Sequence, residues 1–341
     1  MGVNLKQLAA ELQLSTSTVS RALHDSHEIS TGTKKRVREM ADKLGYQPNP
    51  YASSLRKQKS KTIALVIPEI DNNFFTLAIN GIEEVAQKKG YHVLIYLSHE
   101  DLQKERAVTR HLQSGRVDGI LMSVTSQTED TGHLVDLYNT EIPLVFFDRT
   151  CDTIDTVKIT TDDYDSGYNA TQHLVKFGCK RIAYLQVSEA LSISRKRLNG
   201  YKDAIKAGNL NDEKLVIDEN LIITCGNSNE ENYEIIKKQF QSTNPPDGIF
   251  ASVEKLAVTS YYLCNDLGLK IPEDVKVISF SNLSTAPLLA PSLTTVTQPA
   301  FDMGKKSAEV LFTMIENKPM QDDTQNIILK STLIGRNSTK Q

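Results

Sequence analysis

The 341-residue chain has no tryptophan, so no indole face is available to stack on a pyranose ring. Its four cysteines, Cys151, Cys179, Cys225 and Cys264, stand far apart and form no C-x-x-C pair. That spacing argues against a zinc site and against a disulfide framework. No apolar run approaches the roughly 20 residues that cross a bilayer. The amphipathic start MGVNLKQLAAELQ lacks the apolar h-region of a secretory signal, so a cytoplasmic chain without a membrane partner is expected. There is no G-x-x-x-x-G-K-[ST] loop, no G-x-S-x-G elbow and no metal-spaced His pair. Catalytic residues, a bound metal and a cofactor are therefore not expected, and the length suggests about two or three domains.

Charge is present but unevenly placed. Up to Lys61 there are 11 Lys and Arg against 5 Asp and Glu, about +6. The other residues carry 28 against 37, about −9, and the whole-chain value of −3 hides the split. A basic segment on an acidic chain points to nucleic acid or a membrane surface as the partner of that segment.

Within the basic part, Leu5, Leu8, Ala9 and Leu12 form one helical stripe. Ser15 then suits the N-cap of a second helix whose apolar face is Val19, Ala22 and Leu23. Two short helices joined by a tight turn give a helix-turn-helix, in which the second helix enters the major groove. Thr16, Ser17, Thr18 and Arg21 then carry hydroxyl and guanidinium groups suited to base edges and phosphates. The same residues would also suit the solvated face of a small bundle, and the basic balance of the segment favours DNA. A third helix follows, with Val37, Met40, Ala41 and Leu44 as its stripe, Gly45 as its stop and Lys34, Lys35, Arg36 and Arg38 in its first turns. Asn49 as N-cap and Pro50 at the first position would start a further helix, of about two turns and marginal in water. With Lys57, Lys59 and Lys61 beside it, this segment either orders on DNA or remains a linker.

The run Val19-Ser20-Arg21-Ala22-Leu23, the string Leu44-Gly45-Tyr46-Gln47-Pro48-Asn49, and Ala52-x-x-Leu55-Arg56 together resemble the LacI/GalR family of transcription regulators. The resemblance implies a groove-reading second helix, with Thr16, Ser17, Thr18, Arg21, Ser30 and Thr33 as DNA-binding candidates. It also implies a hinge helix, starting at Asn49, that orders at the centre of a pseudo-palindromic operator in double-stranded DNA. Leu55 matches the family's minor-groove wedge, Ala52 its neighbour and Arg56 the basic residue after it. Such a wedge costs unstacking and gains a bend.

From Thr62 onward, apolar runs at 63–67, 93–97, 119–122, 143–147, 157–160, 182–185, 222–224, 249–251 and 277–280 each suit a strand buried on both faces. Amphipathic stretches such as Phe75, Ala78, Ile79, Ile82 and Ala86 separate them. The alternation predicts α/β architecture with doubly wound parallel sheets, and about a dozen strands is too many for one such sheet. Two lobes are expected. The resemblance agrees, since the family's sensor is like a periplasmic-binding-protein type I fold with two α/β lobes. It implies residues 1–46 as an all-α helix-turn-helix domain, 47–61 as hinge helix and linker, and 62–341 as effector-binding and dimerisation domain. Lobe 1 is expected at about 62–160 and 292–322, and lobe 2 at about 161–291 and 323–341.

Ligands of open α/β sheets bind beyond the carboxyl ends of strands, which selects Asp71, Asp148, Arg149, Asp162, Asp163 and Glu254. Each alone is also an ordinary N-cap or loop ion pair. Phe75 fits its helical stripe better, leaving Phe74 to face the cleft, and either would also suit the core. Arg197, in Arg197-Leu198-Asn199-Gly200-Tyr201, matches the family's R-x-x-G-[FY], whose arginine commonly grips the effector, and a guanidinium suits bidentate binding. The sequence departs from the family at Val253 and Glu254, where many members have Asn-Asp, and at Ser281, where many have Asp. Asp71, Phe74, Phe75, Asp162, Arg197, Glu254 and Ser281 are the effector-binding candidates. The expected effector is a small carbohydrate-related metabolite, with control by a protein partner alone as the alternative. Only five residues follow Arg336, too few for the family's tetramerising heptad helix, so the expected assembly is a homodimer.

Overall fold

In a computed structural model, the structure describes residues 3–46, 60–114, 116–210, 213–226, 228–319 and 325–340. The chain divides into two compact units, Met1–Ser60 and Lys61–Gln341.

The first unit contains α1 (Leu5–Leu12), α2 (Thr16–Leu23) and α3 (Thr31–Lys43). Asn4 starts α1 with a capping box, accepting from the Gln7 amide at 3.0 Å while Gln7 Oε1 accepts from the Asn4 amide at 2.8 Å. These reciprocal bonds satisfy donors the helix itself leaves orphaned. Gln13 ends α1 in the left-handed region with φ 53°, which turns the chain toward α2. Leu8, Leu12, Val19, Ala22 and Val37 close the core of the unit.

The second unit alternates strand and helix. In chain order it comprises β1 (Thr62–Ile67), α4 (Asn73–Lys89), β2 (His92–Leu97), α5 (Leu102–Leu112), β3 (Ile120–Met122), α6 (Gly132–Tyr138), β4 (Leu144–Phe147) and β5 (Lys158–Thr161). There follow α7 (Asp163–Lys176), β6 (Ile182–Gln186), α8 (Ser192–Ala207), the short pair β7 (Asn209–Leu210) and β8 (Glu213–Lys214), and β9 (Ile222–Thr224). The remaining elements are α9 (Asn229–Phe240), β10 (Gly248–Ala251), α10 (Glu254–Leu267), β11 (Lys276–Phe280), β12 (Thr294–Thr297), α11 (Ala300–Ile315), β13 (Asn326–Leu329) and β14 (Thr332–Ile334). One six-stranded sheet runs β13-β5-β4-β3-β1-β2 and the other β14-β12-β11-β10-β6-β9. The paired strands are parallel except at the antiparallel pairs of β12 with β14 and β7 with β8.

All nine expected strands form. The lobe boundaries differ from expectation at the C-terminal end. Thr294–Thr297, expected in lobe 1, pairs with β11 in the second sheet, and Asn326–Leu329, expected in lobe 2, pairs with β5 in the first. The chain crosses between sheets at 161–163, at 297–299 and between β13 and β14, so these partners are distant in sequence. A second difference concerns β2. It was expected to be buried on both faces, yet it is the outermost strand of its sheet, and Leu94 and Ile95 are 45% and 39% exposed.

Each lobe is backed by a helix pair in close contact. A Cβ on Gly304 of α11 would collide with the Ala78 carbonyl of α4, and one on Gly200 of α8 with the Tyr164 carbonyl of α7. Only glycine admits this backbone approach. Gly200 thus fixes the seat of α8, and Arg197, one turn earlier, is carried to a set place.

Candidate functional site

In the first unit, Ser15 caps α2 by accepting from the Thr18 amide at 3.1 Å, and its hydroxyl lies 2.8 Å from those of Ser17 and Thr18. Thr16, Ser17 and Arg21 are exposed on α2, and Arg21 pairs with Glu28 at 2.8 Å. Ser30 caps α3, accepting from the Thr33 amide at 3.3 Å, with the two hydroxyls 2.9 Å apart. Thr18, Ser30 and Thr33 therefore have helix-capping work. Such caps aim N–H groups and a positive dipole end outward, an arrangement suited to phosphate.

In the second unit, the carboxyl ends of both sheets face one cavity of about 30 Å³. Asn72, Phe74, Phe75, Asp148 and Arg149 line it from the first lobe; Ile193, Arg197, Ser252, Val253, Glu254, Phe280, Ser281 and Asn282 from the second; and Gln298 from a crossover. Asn72 caps α4 by accepting from the Phe74 amide at 3.0 Å, which orients the two phenyl rings. Phe74 and Phe75 lie edge-to-face at 5.2 Å, and Phe75 packs against Phe147 of β4.

The cavity's charged groups are held in fixed pairs. Arg197, 3% exposed, donates from Nε to Asp163 at 2.7 Å and from Nη1 to the Ser252 carbonyl at 2.7 Å. Its guanidinium lies 3.6 Å from the Phe280 ring centroid. Burial raises the Asp163 carboxyl despite the opposing charge of Arg197. On the other side, Arg149 donates from Nη1 to Glu100 at 2.6 Å. Burial works to raise Glu100, but the charge and hydrogen bond of Arg149 and the Ser126 amide outweigh it and hold the carboxyl at about 2. Asp148 sits between the arginines with φ +58°, a strained conformation for a non-glycine residue. Burial raises its carboxyl against the charges of Arg149 and Arg197.

Several buried atoms around this cavity find no hydrogen-bond partner within the described residues: Arg197 Nη2, Arg149 Nε, Asp163 Oδ2, Ser252 Oγ and Asn282 Oδ1. Unpaired buried polar atoms are costly; Arg149, Arg197, Ser252 and Asn282 line the cavity, while Asp163 stands behind Arg197. The arrangement supplies directed hydrogen bonds and aromatic faces.

The comparisons identify the frame. Residues 4–49 match the family described as bacterial regulatory proteins, lacI family. Residues 60–337 match the family described as periplasmic binding proteins and sugar binding domain of LacI family. The chain belongs to the LacI family. It is 30% identical to the ribose operon repressor of Bacillus subtilis over 337 residues, covering 99% of this chain and 98% of that one. It is 27% identical to catabolite control protein A of Priestia megaterium over 341 residues, covering the whole of both. Among solved structures, the lac repressor dimer bound to operator shares the fold with a TM-score of 0.80 at 19% identity, covering 99% of each chain.

As a LacI-family member the protein is a DNA-binding transcriptional regulator with a helix-turn-helix unit and a two-lobed sensor. Of the expected effector-binding residues, Phe74, Phe75, Arg197, Glu254 and Ser281 line the cavity together. Phe74 and Phe75 both face it, and Phe75 also packs into the lobe core. Asp71 does not line it but borders an outer groove. Asp162 also lies elsewhere, accepting from the Ser166 hydroxyl at 3.0 Å and the Ser331 amide at 2.8 Å, which ties the crossovers together. Its neighbour Asp163 points inward to Arg197. Sequence reasoning missed Asn72, Ser252, Phe280, Asn282 and Gln298. Their positions just beyond strand ends or at a helix cap were the available signal. Asn49, Ala52, Leu55 and Arg56 lie outside the described residues. Among the described residues no helix is long and apolar enough to cross a membrane.

Proposed function

We propose that this regulator is a cytoplasmic, homodimeric repressor without catalytic activity, whose cleft binds a small polyhydroxylated, carbohydrate-related effector. The observation that carries the effector reading is the mixed set of unpartnered donors and acceptors around the cavity, Arg197 Nη2, Arg149 Nε, Asp163 Oδ2, Ser252 Oγ and Asn282 Oδ1. A hydroxyl both donates and accepts, so vicinal hydroxyls answer such a set where a purely anionic group does not. The rings of Phe74, Phe75 and Phe280 supply apolar faces for the C–H surfaces of a small sugar. The ribose operon repressor among the relatives supports the same chemical class.

On DNA, Thr16, Ser17 and Arg21 read the major groove from α2, while Thr18, Ser30 and Thr33 set helix N-termini against phosphates. The chain divides functionally into 1–46, a hinge at 47–61 and a sensor from 62 onward. The hinge folds on the operator with Leu55 as wedge beside Ala52 and Arg56, and Asn49 starts its helix. A dimer fits a pseudo-palindromic site, because protein two-fold symmetry mirrors half-site symmetry. The exposed Leu94 and Ile95 of β2 are the surface that a second copy covers. Thermal-shift screening against pentoses, hexoses and their derivatives tests the reading. A true ligand at about 100 times its Kd stabilises by about 2.7 kcal/mol. A flat response across the panel would remove the sugar effector and leave control by a protein partner.

A further inference from the structure

Glu254, the first residue of α10, reaches across the cleft. Its Oε2 accepts from the Ser281 hydroxyl at 2.7 Å and from the Asn282 amide at 3.1 Å, both in its own lobe. Those two bonds orient the carboxylate so that Oε1 accepts from Asn73 Nδ2 at 2.7 Å. Asn73 begins α4 in the opposite lobe. Glu254 and Asn72, the neighbour of Asn73, line both the inner cavity of about 30 Å³ and an outer groove of about 760 Å³. The hydrogen bond thus lies in the partition between them.

The inner cavity has room for about two waters, whereas a small-molecule site is about 300 Å³ or more. A ligand that spans the inner cavity and the outer groove must displace the bond in their partition. Other polar contacts across the cleft are Ser188 Oγ to the Ser126 carbonyl at 2.9 Å, Thr150 with Ser192 at 3.3 Å, and an exposed pair of Arg195 with Asp152, while Leu191 and Ile193 at the start of α8 pack into the first lobe's apolar core. A charge-assisted hydrogen bond is roughly twice as strong as a neutral one, and exposed ion pairs contribute little.

We propose that Glu254 is a clasp that holds the lobes together through Asn73, and that an effector enters by replacing Asn73 as donor to Oε1. The first half stands on the geometry alone; the second rests on the proposed effector reading. It also assigns the ligand class. An entering group must donate a hydrogen bond, as a hydroxyl or amine does. A carboxylate or a dianionic phosphate does not, and would also face Glu69, Asp71, Glu230, Glu234 and Asp266 around the groove, where Lys255 is the lone cation among the described lining residues. The buried, unpartnered Arg197 Nη2 and Ser252 Oγ lie beyond the clasp to receive the rest of the ligand.

The clasp can be read without a ligand. The four native cysteines are buried, so spin labels attach selectively to Gln127→Cys in one lobe and Asn229→Cys in the other. Labelled full-length chain is diluted into unlabelled chain, and pulsed dipolar spectroscopy gives the separation of the lobes. The unaltered clasp is expected to give a narrow, short distance. Asn73→Asp is nearly isosteric and favourable at a helix N-terminus, yet sets carboxylate against carboxylate. It and Glu254→Ala should both enrich the long-distance population by roughly tenfold or more, as loss of a charged hydrogen bond implies. Unchanged distances in both variants would overturn the clasp. With D-ribose and its fully O-methylated derivative, which has no hydrogen-bond donor, as probes in thermal shift, stabilisation by D-ribose alone supports the donor requirement, and equal stabilisation by the methylated sugar overturns it. Parted lobes with no response to either probe uphold the clasp and remove the sugar reading.

Discussion

Arg197 lies over the face of Phe280 at 3.6 Å while its Nε donates to Asp163 at 2.7 Å. The ring and the carboxylate together fix the guanidinium so that Nη2 is left for the cleft. Arg197→Ala should therefore do two things. Effector affinity should fall about tenfold or more, because a charged hydrogen bond contributes about 1.5–3 kcal/mol. Stability should fall by about 3–5 kcal/mol, because Asp163 is left buried without its partner. Calorimetric titration and urea unfolding measure the two, and an unchanged affinity would remove Arg197 from the site.

Glu100 and Arg149 form the matching pair in the other lobe, and they predict a pH dependence. The Glu100 carboxyl is held at about 2, below its ordinary value of 4.5. A depressed carboxylate adds stability above the unfolded value and loses it as pH falls through the folded value. The stability advantage of the native protein over Glu100→Gln should therefore be full above about pH 5 and shrink toward pH 2. Urea midpoints across that range check it; a constant difference would mean that charge is not the source.

On DNA, Leu55→Ala should weaken specific operator binding far more than non-specific binding, since wedging pays only where the duplex bends. Arg21→Ala should relax base preference, while loss of Lys57 and Lys59 should mainly flatten the salt dependence. Titrations on operator and on scrambled duplex at several salt concentrations separate these effects. Equal loss on both duplexes would sink the wedge.

The outer strand β2 predicts an assembly phenotype. Placing charge on its exposed apolar face with Leu94→Glu should shift a homodimer toward monomer, read by sedimentation. The fold of the single chain should survive, because the side chain is 45% exposed there, so the melting temperature should fall only by what dimerisation contributes and lose its dependence on protein concentration. An unaltered dimer would place the interface elsewhere.

How far the sequence was legible follows from the range of each interaction. The strands could be read because burial writes itself locally, as continuous apolar runs. The partners of β12 and β13 could not, since they lie across crossovers between lobes. The exposure of β2 was missed for a related reason: an apolar run does not record whether its strand lies inside the sheet or at its edge. At the site, Arg197 was legible only through the family's R-x-x-G-[FY] pattern; the structure adds that Gly200, one turn later, seats the helix against α7. Asp162 and Asp163 were not separable, since both follow β5 and only the helix geometry turns one toward the crossover and the other toward Arg197. Glu254 was visible as a departure, and its reach to Asn73, 181 residues away, was not.

The central claim is that this chain recognises a defined DNA site and that the cleft controls that recognition. Selection of bound duplexes from a random pool by the full-length protein, with and without a stabilising sugar, tests it most directly. The account predicts enrichment of one pseudo-palindromic sequence whose affinity changes at least several-fold when the sugar is added. A pool without a shared sequence, or one whose binding ignores every sugar that stabilises the protein, would contradict it.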